Sequence, residues 1–333
     1  MIVSSKQRTF LDFFPVPEFL LLSTTGIVIT DDDTKFVQLR RKIFGDGFEL
    51  AHATKVANPE GAVESGLISS PAELAPILKK LVLHYGIHYA RAILPEEKAY
   101  LFTTTIGWVP HEGLKDAVAF IIEENAPISL AESVFDFEII NEDKGADKIK
   151  LAVSVLPKNI VNAYVEFFES VGIIPISFEL ESQAIARAAI HYGDKRPYLL
   201  INLSPKKTGF HVVEKGVVQF STTLSYGIGV DGSYSNLNDL KAEMHKVLAF
   251  WNVRSEASSK SGESENKIEK AILCGTGGNK KDFVEMFMSE SGVEYSLADV
   301  WLNMSSRGHV PEIPLDESLD YASAIGLVLS HAR

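Results

Sequence analysis

The chain has one cysteine, Cys274, so no intrachain disulfide can form, which fits a reducing compartment. Cys274 ends an apolar run, where a thiol packs as a small inert hydrophobe rather than acting as a nucleophile. Positive charge is also in deficit: 32 Lys and Arg stand against 44 Asp and Glu, a formal net charge of −12. Nucleic-acid binders need clustered Lys and Arg to neutralise phosphates, so the balance argues against that class. No apolar run reaches the roughly 18 residues that a membrane-spanning helix requires. The Phe- and Leu-rich stretch from Phe10 to Leu22 is broken by Pro15 and Pro17 and lacks the charged-then-apolar plan of a signal peptide. It reads as an extended arm packed on the body. Metal-binding spacings such as His-Glu-x-x-His or Cys-x-x-Cys are missing, as is a Gly-x-Ser-x-Gly nucleophile turn. His84, His88 and His191 are isolated and read as structural or exposed.

What the chain does have is a strand–turn–strand unit that occurs twice. The first runs from Gly26 to Leu39 through Thr30-Asp31-Asp32-Asp33, and the second from Leu199 to Val213 through Ser204-Pro205-Lys206-Lys207. A glycine-rich turn, Gly275-Thr276-Gly277-Gly278, follows near the end. A chain of 333 residues is too long for one compact core of ordinary size, so two or more domains are expected.

Periodicity predicts strands at 26–30, 35–41, 48–55, 89–94, 99–105, 134–140 and 149–156, then at 174–178, 198–203, 208–213, 217–224 and 270–274. Helices are predicted at 71–85, 112–124, 158–171, 180–192, 236–253, 280–290 and 319–331. Ser70-Pro71-Ala72-Glu73 is a capping box with proline at the first helical position. Residues 141–148 read as a charged loop. The Ser-, Glu- and Lys-rich segment 255–266 reads as a flexible linker. Alternating strands and helices mean an α/β protein with mixed sheets.

Two of these helices are rich in small residues, Glu181 to Ile190 and Leu319 to Leu327. Glycine inside a helix costs about 1 kcal/mol relative to alanine, so Gly326 points to a steric need for close approach.

Two hairpins followed by a late glycine turn is the order of the actin-like nucleotide-binding fold, with ribonuclease H-like duplicated domains. The runs Phe13 to Leu20, Ala62 to Ile68, Leu94 to Lys98, Val153 to Tyr164, Phe178 to Ala188 and Leu319 to Leu327, in that order, carry a closer likeness. The chain resembles the PilM family of type IV pilus assembly proteins and, more distantly, the cell-division protein FtsA. The resemblance implies an arm at 1–19 and a first subdomain at 20–86, 150–195 and 319–333. It also implies an inserted protein-interaction subdomain at 87–149 and a reduced second domain at 196–318. The two small-residue helices would be the connecting helices of the hinge.

The resemblance also implies ATP with Mg²⁺ between the two hairpin turns, where backbone N–H groups act as donors. The residues it places there are Thr30, Asp31, Thr34, Lys35, Asn202, Ser204 and Thr208, with Gly275, Gly277 and Gly278 on the adenosine side. Glu181 occupies the place of a water-orienting residue and is the candidate catalytic group. Magnesium takes hard oxygen ligands, often carboxylates. Yet the family's usual acidic positions hold Val28 and Asn202, the turn glycine is Ser204, and Pro205 removes a donor. Asp32 and Asp33 add charge that would repel a triphosphate if left unneutralised. The lid subdomain has little room between Gly227 and Asn236. The expectation is therefore a degenerate site in a cytoplasmic scaffold, peripheral at the inner membrane. It would bind the short tail of a PilN-like membrane protein in the cleft beside the insert, together with platform and motor proteins. An active ATPase and an FtsA-like filament former are the alternatives. A sugar kinase of this fold would need acidic, glycine-containing hairpins, which are absent.

Overall fold

A computed structural model describes residues 24–41, 48–143, 145–229, 234–260, 267–304 and 313–329. The expected arm at 1–19 and residues 261–266 of the expected linker lie outside them.

The first hairpin is β1 (Thr24–Ile29) and β2 (Asp33–Arg41), extended by β3 (Phe48–Ala57). A short hairpin, β4 (Val63–Glu64) and β5 (Leu67–Ile68), leads to α1 (Pro71–Tyr85) and β6 (Tyr89–Leu94). The chain then departs through β7 (Tyr100–Gly107), α2 (Leu114–Asn125), β8 (Ser133–Asp143) and β9 (Lys148–Pro157). It returns with α3 (Lys158–Ser170), β10 (Ile174–Leu180) and α4 (Glu181–Ala189). The second half comprises β11 (Tyr198–Leu203), β12 (Thr208–Glu214), β13 (Val217–Leu224), α5 (Leu237–Lys260), β14 (Lys270–Cys274), α6 (Lys281–Met288) and β15 (Glu294–Leu297). It closes with α7 (Leu315–Ser318) and α8 (Ala322–Leu329).

Sheet I has the order β3-β2-β1-β6-β10 and sheet II the order β13-β12-β11-β14-β15. In both, three antiparallel strands are followed by two parallel ones. This is one topology used twice. Side chains alternate across each sheet, as period-two strands require. Ile27 and Ile29 face a core with α1 and α3, while Val28 and Val37 face the central core. On sheet II, Leu199, Ile201 and Leu203 face α5 and α6, while Tyr198 and Leu200 turn to the same central core. That core is built around α4 and α8, which lie between the sheets.

The small residues of these two helices let them cross at backbone contact. A Cβ on Gly326 would overlap the carbonyl oxygen of Ala184, and one on Gly26 would crowd the carbonyl of Ala324.

The larger differences from the sequence expectation concern the insert, the charged loop and the linker. The inserted sheet, β7-β9-β8, spans residues 100–157 rather than 87–149. β6 belongs to sheet I because it pairs with β1 and β10, and β9 belongs to the insert because it pairs on both sides there. The charged loop 141–148 is largely strand: β8 runs through Asp143 and β9 starts at Lys148. Finally, α5 continues to Lys260, so residues 255–260 of the expected linker are helical. The fully buried Trp251 and the buried Ser255 anchor that end of the helix, which supplies the packing that its polar composition lacks.

Candidate functional site

The two hairpin turns face each other across the cleft between the sheets, and they share one internal geometry. In the first, Thr30 N–H donates to the Asp33 carbonyl at 2.8 Å, and the Asp32 and Asp33 N–H groups donate to Thr30 Oγ1 at 3.3 and 3.1 Å. In the second, Ser204 N–H donates to the Lys207 carbonyl at 2.9 Å and Lys207 N–H donates to Ser204 Oγ at 3.2 Å. A hydroxyl at the first turn position thus takes up the Asp32, Asp33 and Lys207 N–H groups, which an anion would otherwise attract. Pro205, next to Ser204, has no donor to offer.

The turns carry opposite charge. Lys206 Nζ pairs with Asp32. Lys207 Nζ lies 2.6 Å from Glu97 Oε1 and 3.6 Å from Asp31 Oδ1. Asp31 is also held by the Gly66 N–H at 2.8 Å. Lys35 pairs with Asp320 at 2.7 Å and Asp33 at 3.2 Å, and Lys55 reaches the other Asp320 oxygen at 2.8 Å. Burial works against charging Lys207, but Glu97 and Asp31 outweigh it and hold its pKa above the usual lysine value. Lys35 is raised in the same way, burial being overcome by Asp320 and Asp33. Asp32 and Asp33, expected to repel a phosphate, are therefore neutralised by the protein itself.

Below the turns lies a buried carboxylate that composition and spacing did not single out. Glu96 accepts from Ser182 N–H at 2.7 Å and from the hydroxyls of Ser182 and Ser221 at 2.5 and 2.6 Å. His211 Nδ1 is 2.9 Å from Ser221 Oγ and 3.6 Å from Glu96. The Glu96 side chain comes from the segment between β6 and β7, Ser182 from α4, and His211 and Ser221 from sheet II, so one carboxylate ties all three. The only sequence signal was the Leu94 to Lys98 run. Burial pushes His211 below the usual imidazole value, against the pull of Glu96. Glu181 faces the same cleft, its pKa raised by burial and by Glu96 despite Lys207 and Lys35.

Of the candidate residues, Thr30, Asp31, Lys35, Asn202, Ser204, Gly275 and Glu181 line the cleft. Four do not. Thr34 donates its hydroxyl to Asn58 at 2.7 Å. Thr208 is fully buried, and its hydroxyl has no partner among the described residues. Gly277 packs on Leu203 and Ile228, and Gly278 on Leu319. The three glycine N–H groups of the glycine turn are taken: Gly275 donates to the Leu319 carbonyl, Gly277 to Leu203 and Gly278 to Gly275, at 2.9, 2.9 and 3.0 Å. Gly275, at φ +81°, lies against the Leu203 carbonyl and the Asn202 side chain, so its lack of a Cβ serves backbone packing.

No family model matches the sequence, and neither does any curated protein. Solved structures do. One, a PilM-PilN type IV pilus biogenesis complex, matches over 95% of this chain and 100% of its own at 17% identity, with a TM-score of 0.77. The ethanolamine utilization protein EutJ from Carboxydothermus hydrogenoformans matches over 94% and 91% at 12% identity, with a TM-score of 0.50. The chain has the actin-like fold of PilM.

The charged side chains of the two turns are largely engaged with one another and with their neighbours. The cavity directly between the turns is about 80 Å³, and two further cavities beside it, of about 340 and 490 Å³, both have Asp31 and Lys206 in their walls. The Asp32, Asp33 and Lys207 N–H groups are bonded to turn hydroxyls, Lys35, Lys206 and Lys207 are paired with carboxylates, and Val28 is a core residue. Among the described residues there is no cluster of three or more His, Cys, Asp or Glu suited to a metal ion.

A larger cavity, of about 1030 Å³, lies between the insert and the body. Phe137 and Ile139 of β8 line one side, Ala186 of α4 and Ile190 just after that helix another, and Lys215 of the β12–β13 turn and Val217 at the start of β13 a third. Among the described residues no helix is long and apolar enough to cross a membrane.

Proposed function

We propose that this protein is a scaffold of a type IV pilus, or of a related secretion or DNA-uptake platform. It works at the cytoplasmic face of the inner membrane and binds the short cytoplasmic tail of a PilN-like membrane protein. The observation that carries this reading is the likeness to PilM along nearly the whole chain, in a structure solved as a complex with PilN. The groove between insert and body supports it: it is large enough for an extended peptide and mostly apolar on the insert side. The scaffold reading requires no nucleotide turnover. The apolar Val28 and neutral Asn202, the turn hydroxyls that take up N–H groups, and the pairing of Lys35, Lys206 and Lys207 with carboxylates support that part.

The test is titration calorimetry with a synthetic peptide of the PilN-like tail from the same genome. Saturable binding is expected, weakened at least about tenfold, or 1.4 kcal/mol, by Val217→Arg in the groove wall. Absence of binding would end the docking reading and make FtsA-like filament formation, visible by electron microscopy, the next one. A parallel titration with Mg-ATP is expected to give no heat. Micromolar binding with turnover would restore the ATPase reading.

A further inference from the structure

We infer that the two hairpin turns form an ionic latch that holds the interdomain cleft shut without a ligand. In a nucleotide clamp of this topology, both turns aim donors at the same anion, and the anion with its cation is what ties the halves together. Here the turns keep the duplicated geometry but have acquired opposite charge. The first is Thr30-Asp31-Asp32-Asp33 and the second Ser204-Pro205-Lys206-Lys207, each with a first-position hydroxyl bonded to the fourth residue. With the Asp32, Asp33 and Lys207 N–H groups bonded inside their own turns, the turns meet across the gap through side chains. Lys206 meets Asp32 and Lys207 meets Asp31 of the facing turn, and Lys207 also meets Glu97 of the neighbouring segment between β6 and β7. The Lys206 pair is largely exposed and weak. The Lys207 contacts are the stronger part of the latch, because both partners are mostly buried and the ammonium has two carboxylates.

Beneath this contact Glu96 makes the second tie, reaching across to Ser221 on sheet II while bonded to the start of α4. Residues 96 and 97 thus grip sheet II side by side, one through the half-buried Ser221 hydroxyl and one through the Lys207 ammonium. The lysines stand where the fold would place phosphate charge, and carboxylates of the chain's own take the role of the anion. The closed cleft is therefore the resting state of the protein, and its opening is governed by residues 31, 32, 97, 206 and 207. This inference is independent of whether the groove takes a tail.

The test is a distance measurement between spin labels on the two halves of the full chain. Cys274 is buried, so labels at Glu73→Cys on α1 and His245→Cys on α5, both exposed, are taken up selectively. The parent is expected to show one narrow distance that millimolar Mg-ATP leaves unchanged. Lys207→Glu is expected to add a longer, broader population, and the charge-swapped pair Glu97→Lys with Lys207→Glu to restore the narrow one. A thermal melt confirms that each variant is folded. The inference is overturned if Lys207→Glu leaves the distance as it was, if the swap fails to restore it in a folded protein, or if Mg-ATP shifts the parent. Loss of packing alone would predict a double variant worse than either single one, so the swap separates charge pairing from a merely structural role.

Discussion

Asp320, 8% exposed at its side chain, sits between two lysines and is the charge that commits the closing segment to sheet I. Burial alone would raise its pKa, but Lys35 and then Lys55 overcome that and hold it below the usual carboxylate value. A carboxylate whose folded pKa is depressed contributes stability at neutral pH that is lost as pH falls through the folded value. Asp320→Asn leaves Lys35 with Asp33 alone in a mostly buried place. We expect it to cost about 3 kcal/mol, the lower end for breaking a buried pair, and to flatten the acid limb of the urea-midpoint profile below about pH 4. His211 carries the next step of that profile. Its folded pKa lies below 6.5, so the folded state resists the proton that the unfolded chain accepts. Its contribution is complete above 6.5 and declines as pH falls toward the folded value. The groups around it are Glu96, Ser182 and Ser221. His211→Gln should make the melting temperature nearly independent of pH between about 7.5 and 5.5, where the parent loses stability.

At the scale of elements, the crossing of α4 and α8 decides how close the two halves approach. Alanine is favoured over glycine in a helix by about 1 kcal/mol, so Gly326→Ala would stabilise an isolated α8. In the protein the added methyl meets the Ala184 carbonyl, a backbone atom that cannot rotate away. Overpacking costs about 1–3 kcal/mol, and the backbone target puts it at the upper end, so a net loss of about 2 kcal/mol in denaturant midpoint is expected. This crossing was legible in the sequence, because a glycine in a helix that could have used alanine marks a steric need. The hairpins were equally legible, since both cores depend on period-two alternation. What could not be read were features set by partners distant in the chain. Ser255 to Lys260 has the composition of a linker but rides on a helix anchored by Trp251. β15, four residues with mixed exposure, exists because β14 offers it a parallel edge. The turn residues showed opposite charges, but that Lys207 meets Glu97, 110 positions away, follows only once both sheets are in place.

At the scale of the whole molecule, one helix separates the cleft from the groove and belongs to both. Glu181 and Ile185 of α4 line the cleft, while Gln183, Ala186 and Arg187 line the groove. The groove is also walled by β8 of the insert on one side and the β12–β13 turn of sheet II on the other. An occupant that touches both walls binds only the arrangement in which sheet II is close, which is the latched one. A ligand shifts a two-state equilibrium by its differential affinity, and the coupling is reciprocal. Lys207→Glu, with no contact to the groove, should therefore weaken tail binding by the fraction of molecules it opens, roughly 5-fold or more. Bound tail should in turn return part of that variant's distance distribution to the narrow, closed form. Calorimetry and the spin-label distance read the same free energy from two ends. Agreement between them places cleft and groove in one mechanical unit. An unchanged affinity in a variant whose cleft has opened would show that the groove wall on sheet II contributes nothing to the tail.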